Sequence, residues 1–203
     1  MLSADEIVEI LGLDALDKKR LTVVPLPDKD ALRRRGATSI DLRLGRWFRS
    51  FKQTRTNFVS LVGPGSGEKE TSEASRTRQH FVPFGKSYVL HPGRFVLGAT
   101  LEWLSLPAGI SGYITGISSL GRHGLVIETA AGVHPIFSGC LTLELANVGE
   151  VPLEIFPGMP ICQIFLHRTK EASSIDYGKF SGKRKPTLTT PMADDIFHKI
   201  KDI

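Results

Sequence analysis

Two groups of residues in the second half of the chain have the types and spacing that chemistry needs. The first is Ser118-Ser119 with Arg122 close behind, in a stretch punctuated by Gly116, Gly121 and Gly124. Small hydroxyls and backbone N–H groups beside a glycine-containing turn can cradle phosphate oxygens, and an arginine adds a bidentate cation. An ordinary polar turn after a strand has the same composition. The second is Glu144. From Cys140 to Ala146, Leu141, Leu143 and Leu145 alternate with Cys140, Thr142, Glu144 and Ala146. A period of two sends the leucines to one face and Glu144 to the other. Its small neighbours leave room for a ligand; a solvated polar face is the alternative. Between the two groups, Thr129-Ala130-Ala131-Gly132-Val133-His134-Pro135 reads as a turn whose small side chains suit a close backbone approach.

The elements that must position these groups are short and β-like. Met1 to about Leu13 predicts a short helix, with Ser3 and Glu6 as a capping box and Ile7, Ile10 and Leu11 as its apolar stripe. Leu21–Val24 is a β run stopped by Pro25 and Pro27. Asp28–Arg35 is a charged surface loop or a short helical turn. Thr38–Leu44 alternates as a half-buried strand with Asp41 and Arg43 on its polar face, where they form a structural ion pair or a functional one. Trp47–Phe51 and Phe58–Val62 look like strands. Gly63–Gln79, nearly devoid of apolar residues, predicts a flexible surface insertion. Strands resume at Phe81–Phe84 and Ser87–Leu90. Phe95–Leu104 reads as one long strand, followed later by Leu153–Phe156 and Ile161–Leu166. Many short strands with turns about every ten residues predict a mainly all-β fold, a distorted barrel or double-sheet roll. After Glu171 the strand pattern is lost, and 194–203 is a possible closing helical turn.

The chain has 203 residues, which predicts one domain with arms: an N-terminal helix region over 1–20, the insertion at 63–79 and a tail over 171–203. A hydrophobic fraction of 41% supports a real core, and 20 glycines and 12 prolines fit tight turns. No apolar run has the length of a transmembrane helix and no signal-peptide core is evident, so no membrane partner is expected. Two cysteines, Cys140 and Cys162, in strand-like segments fit buried free thiols and a cytoplasmic setting, and they form no C-x-x-C for zinc. The net charge of +5 raises the question of nucleic acid. The basic residues fall in separate clusters without interleaved aromatics, so a polyanionic small molecule fits as well and no nucleic-acid partner is expected.

An ordered set of motifs carries a resemblance. SSLGR-HGL, TAAGVHP and GCLTLELAN, with SIDLRLG at Ser39–Gly45, LHPG-FVLG-TLE at Leu90–Glu102 and PGMPICQIF at Pro157–Phe165, resemble the dCTP deaminase branch of the trimeric dUTPase-like superfamily. The resemblance spans most of the chain. It implies a dUTPase-like fold, a homotrimer with sites between subunits, and hydrolytic deamination of dCTP to dUTP and ammonia. It assigns Glu144 as the base that activates water, places Arg122 and Ser118 at the catalytic centre, and gives Ser118, Ser119 and Arg122 triphosphate contacts. Thr129, Ala130, Ala131 and His134 line the base pocket, and Gln163 lies near it or at an interface. Tyr177, Lys179, Phe180 and Lys183 fall on a C-terminal tail that closes over the triphosphate as a flexible lid.

The same resemblance bears on metals. Zinc deaminases carry H-x-E and P-C-x-x-C; neither signature is present, so the expectation is a metal-free glutamate base with Mg2+ carried only by the nucleotide triphosphate. Three positions depart from the family, and a fourth differs from dUTPases. Ile117 stands where many relatives have Arg or Lys. Phe180 replaces a tyrosine and Lys183 a glutamine. His134 replaces the aspartate with which dUTPases position the water that attacks the α-phosphate. His134 is compatible with a ribose contact, a substitute base or a structural residue before Pro135. Two rivals therefore stand beside the deaminase: a pyrophosphohydrolase, or a bifunctional enzyme giving dUMP from dCTP; and a non-catalytic nucleotide-binding regulatory module.

Overall fold

The protein is described here from a computed structural model covering residues 1–52, 76–129, 131–171 and 182–188. In chain order the elements are α1 (Ala4–Gly12), β1 (Thr22–Val24), α2 (Lys29–Arg35), β2 (Ser39–Arg43), β3 (Trp47–Phe51), β4 (Thr77–Phe81), β5 (Tyr88–Leu90), β6 (Phe95–Ala99) and β7 (Trp103–Ser105). They continue with β8 (Ile110–Gly116), α3 (Ser118–Gly121), β9 (Leu125–Glu128), β10 (Gly132–Val133), β11 (Ser138–Gly139), β12 (Thr142–Asn147), β13 (Leu153–Ile155) and β14 (Pro160–Arg168). Four sheets hold the strands, in the orders β1-β7-β11, β10-β8-β14-β2, β4-β3-β6-β12-β9 and β13-β5. All the pairings are antiparallel.

The inner faces of the sheets and both of the longer helices meet in one apolar cluster. Leu42, Leu44, Phe48, Val96, Leu143, Leu145, Ile161 and Leu166 are its fully buried centre, and Ile7, Leu11 and Leu32 join it from the helices. The alternation of β12 is the reason for its seating: Leu143 and Leu145 point inward and Glu144 outward. α1 begins as its sequence requires. The Ser3 hydroxyl accepts the Glu6 N–H at 3.4 Å and the Glu6 carboxylate accepts the Ser3 N–H at 2.9 Å, completing the capping box. The charged stretch after Pro27 is a helix rather than a loop. Asp28 caps it by accepting the Ala31 N–H at 2.9 Å, and Gly36 closes it in the left-handed region.

Three expectations are corrected. The insertion does not extend to Gln79: Thr77, Arg78 and Gln79 lie in β4, opposite Phe51, Ser50 and Arg49 of β3. Ladder bonds from a neighbouring strand overrode a polar composition that local propensity reads as loop. The long strand from Phe95 is broken into β6 and β7. At the corner the Thr100 hydroxyl donates to the Glu102 carbonyl and accepts the Leu141 N–H, both at 2.9 Å. Asp41 and Arg43 do not pair with each other. Asp41 faces Arg35 at 3.7 Å and Arg43 faces Glu102 at 3.8 Å. The expected strand at Phe58–Val62, the insertion's residues 63–75 and the closing turn at 194–203 lie outside the described residues.

Glu102 is a buried acid, 2% exposed, whose carboxylate accepts the Arg43 N–H at 2.8 Å. Desolvation pushes its carboxyl above the ordinary value, against the opposing pull of the Arg43 N–H and guanidinium. Because the folded state holds this proton more tightly than the unfolded chain does, stability falls as pH rises from the ordinary carboxylate value of 4.5 through the higher folded-state value. It is level on either side of that window. Glu102→Gln keeps an acceptor for Arg43 and deletes the proton. Thermal melts across pH 4 to 8 are expected to show a shallower decline in the variant than in the wild type; parallel curves would refute the buried-acid account.

Candidate active site

Glu144 sits in the middle of β12, with Leu97 of β6 directly opposite on one side and Glu128 of β9 on the other. Leu97 in turn faces Arg49 of β3, and Arg49 faces Gln79 of β4. Residues opposite one another in an antiparallel ladder share a face. One outward face of this sheet therefore carries the row Glu128, Glu144, Leu97, Arg49, Gln79. Glu144 and Glu128 are both exposed. Two carboxylates in this relation have Cβ atoms about 5 Å apart, a spacing at which like charges repel and a cationic ligand would be attracted.

The turn after β9 is fastened beside this row. Thr129 donates its hydroxyl to the Thr142 carbonyl at 2.9 Å, two residues before Glu144 on β12. Ala131 accepts the Ile114 N–H at 2.9 Å, and Gly132 and Val133 pair with Tyr113 and Gly112 of β8. The structure thus ties Thr129 to the strand of Glu144, while the Ala131–His134 turn that follows it is held by β8 of another sheet. His134 is exposed, and its carbonyl accepts the Phe137 N–H at 3.3 Å. Two residues on, Ile136 has φ of 69°, a left-handed conformation that a β-branched residue adopts only with strain. The strain sits in the turn between β10 and β11 rather than in the core.

The hydroxyl and arginine group lies elsewhere. Ser118 and Ser119 open α3, Arg122 follows it, and all three are exposed. Gly124, with φ of 87°, lets the chain turn tightly against the loop after β12: a Cβ there would sit 2.7 Å from the Gly149 nitrogen. This fixes Arg122 near the Asn147 end of β12, where Leu125 pairs with Asn147. Glu144 is three residues further back, roughly 10 Å along the strand. Tyr113, beside the Gly132 turn, is five residues from Ser118, roughly 16 Å of extended chain. Within one chain, then, the phosphate-binding candidates and the Glu144 group occupy separate places.

The remaining candidates are placed as follows. Gln163 is half-buried on β14 and donates its amide to Asp41 at 2.9 Å, a contact that ties β14 to β2. Lys183 is exposed, and its carbonyl accepts the Cys140 N–H at 2.8 Å just before β12. Ala130, Tyr177, Lys179 and Phe180 lie outside the described residues. Both cysteines are free, with Cys162 buried and Cys140 half-buried. Among the described residues no group of three or more His, Cys, Asp or Glu side chains is arranged to hold a metal ion. Glu128 and Arg49 escaped the sequence reading. The only sequence signal at Glu128 is a polar end to an apolar strand, and its importance depends on the β9–β12 register.

Comparison with known proteins places the chain in a family. Residues 2–169 match the family described as dCTP deaminase-like. A protein of Corynebacterium diphtheriae named "dCTP deaminase, dUMP-forming" is 37% identical over 194 residues, covering 92% of this chain and 95% of its own. One of the same name from Nocardia farcinica is 41% identical, covering 81% of this chain and 84% of its own. The crystal structure of a 2'-deoxycytidine 5'-triphosphate deaminase from Agrobacterium tumefaciens superposes with a TM-score of 0.55 at 26% identity. That match covers 81% of this chain and 47% of the other, longer one. With a mainly β fold, the ordered motifs in place and a family match over nearly all of the described body, the chain belongs to the dCTP deaminase-like family.

Proposed function

We propose that this protein converts dCTP and two waters to dUMP, ammonia and pyrophosphate, one water replacing the C4 amine and the other cleaving the bond between the α- and β-phosphates, in a site completed between subunits of a homotrimer. The observation that carries the reading is Glu144. It stands outward on a rigid central strand, beside a turn pinned to that strand by Thr129. The dUMP product is supported by relatives named dUMP-forming at 37% and 41% identity over most of their length. The separation of Ser118, Ser119 and Arg122 from Glu144 within one chain supports a shared site, since a second copy supplies what the first holds apart. Mg2+ enters as part of the substrate, on the triphosphate, in a cytoplasmic setting.

In this reading Glu144 takes a proton from water as its oxygen attacks C4 of the cytosine ring. That proton passes to N3. The C4–N bond then breaks as the second water proton moves, through the same carboxylate, to the departing amine, giving ammonia and a uracil carbonyl. Arg122 and the two serines hold and neutralise the phosphates. Thr129 and the backbone of the Ala131–His134 turn orient the base. A second reading, deamination that stops at dUTP, is favoured by one observation: His134 occupies the position at which dUTPases carry their water-positioning aspartate.

Incubation with dCTP and magnesium, with ammonia, pyrophosphate and nucleotide products assayed together, separates the two. Ammonia with equimolar pyrophosphate and dUMP is the expected result. Ammonia with dUTP alone overturns the dUMP reading and leaves the deaminase. Neither product overturns both.

A further inference from the structure

The described C-terminal segment, 182–188, is not loose on the surface. Gly182 donates its N–H to the Ser138 carbonyl at 2.7 Å, and the Lys183 carbonyl accepts the Cys140 N–H at 2.8 Å, so the segment extends the edge of β11. Gly139 makes this approach possible: a Cβ there would lie 3.2 Å from the Lys183 carbonyl oxygen. The Arg184 guanidinium then lies 4.9 Å from the centroid of the Trp103 ring, and the Lys185 ammonium 3.9 Å from that of Trp47. Arg49 Nε donates to the Pro186 carbonyl at 3.0 Å, while its Nη1 donates to the Thr77 hydroxyl at 3.0 Å. Thr187 is buried.

Arg49 belongs to the row that also holds Leu97 and Glu144, so the segment crosses the sheet on the Glu144 face. We propose that Trp103, Trp47 and Arg49 form a clasp that keeps residues 182–188 docked on this face, and that they are positioning residues for the reaction. The clasp parks the charges of Arg184 and Lys185 on indole rings and pins the Lys183 main chain. Lys183 itself is exposed, held by its main chain just before β12. Each cation–ring contact at a partly exposed position contributes modestly, so the clasp works as a set: two rings, one guanidinium and two main-chain bonds. Its effect on rate rests on the nucleotide chemistry proposed above; the docking does not.

The chain contains only two tryptophans, and both are in the clasp, so intrinsic emission reports on it directly. The test compares wild type, the double variant Arg184→Ala/Lys185→Ala, the chain ended after Ser181, Arg49→Ala and Arg49→Lys. Without nucleotide, the double variant and the shortened chain are expected to show red-shifted emission and greater acrylamide quenching. Saturating dCTP should change the wild-type spectrum little. The KM for dCTP should rise roughly tenfold in the double variant, as the loss of two cation–ring contacts implies, with kcat within about twofold. Arg49→Ala should raise KM likewise and Arg49→Lys should restore part of it. Wild-type spectra that match those of the shortened chain would show that the segment is not docked. Altered spectra with an unchanged KM would remove the positioning role. A wild-type protein that turns over no nucleotide sinks the chemical reading and the positioning role with it, while the spectra still decide the docking.

Discussion

Glu144→Gln is expected to abolish ammonia release from dCTP, lowering kcat by roughly a thousandfold, within the range for removal of a positioned general base. Nucleotide affinity should stay within a few-fold of wild type. The substitution keeps the shape and a hydrogen-bonding group but removes the basic oxygen that takes the proton from water. The fold has no reason to object: Glu144 is exposed, and the strand's apolar contacts are made by Leu143 and Leu145 on the other face. Its cross-strand neighbour is Glu128, so losing one of two like charges relieves repulsion rather than adding it. The melting temperature is accordingly expected to hold or rise slightly. Ammonia release, calorimetric nucleotide binding and a melt on the same preparation decide the matter. Turnover near wild type would remove Glu144 from the mechanism, and loss of binding together with turnover would make it a binding residue instead.

Phe48→Ala has the largest expected effect on stability. Phe48 is fully buried on β3, and its ring stacks on Tyr88 with centroids 4.8 Å apart and planes 9° from parallel. It sits next to Arg49 in sequence and on the opposite face, so it anchors from inside the strand that carries the clasp outside. Truncating a buried phenylalanine costs about 3–5 kcal/mol through lost transfer energy and the cavity left behind. Against a typical total of about 5–15 kcal/mol, that is a large share. For a chain of this size it corresponds to a drop in Tm of roughly 10 °C. A melt that moves by only a degree or two would mean that β3 is not packed as described. Phe48→Leu, which refills most of the volume, should recover more than half of the loss.

Local pattern and distant contacts carry two different kinds of information about this chain. Wherever one side of an element faces apolar core and the other faces water, the sequence was sufficient. Alternation in Cys140–Ala146 assigned Glu144 to the outer face, the capping box started α1 where the structure starts it, and Leu42 and Leu44 were visible as core positions. These features depend on a residue's own period and its immediate neighbours. The ordered motifs carried the family and, with it, a mainly β fold. The balance between dUTP and dUMP as product was read toward dUTP from the single position His134; the relatives' names favour the dUMP alternative.

What the sequence left undecided depended on contacts between residues far apart in the chain. Thr77–Gln79 is polar enough to read as loop, yet it forms a strand because Arg49–Phe51 offers a ladder. The break after Ala99 is set by Thr100 and Glu102 bonding to Leu141 and Arg43, partners about 40 and 59 residues away. The pairing of Asp41 with Arg35, and of Arg43 with Glu102, replaced a local ion pair that spacing alone suggested. At the site, the sequence by itself determined the reactive residue types, the face of Glu144 and the family. Only the tertiary structure decided that Glu128 stands opposite Glu144, that Ser118 and Arg122 are held away from it in the same chain, and that the C-terminal segment lies across the Glu144 face on Trp47, Arg49 and Trp103. The reason is physical. Period and capping are properties of a few consecutive residues, whereas strand register and tail docking are set by the combined energy of distant surfaces that no local pattern encodes.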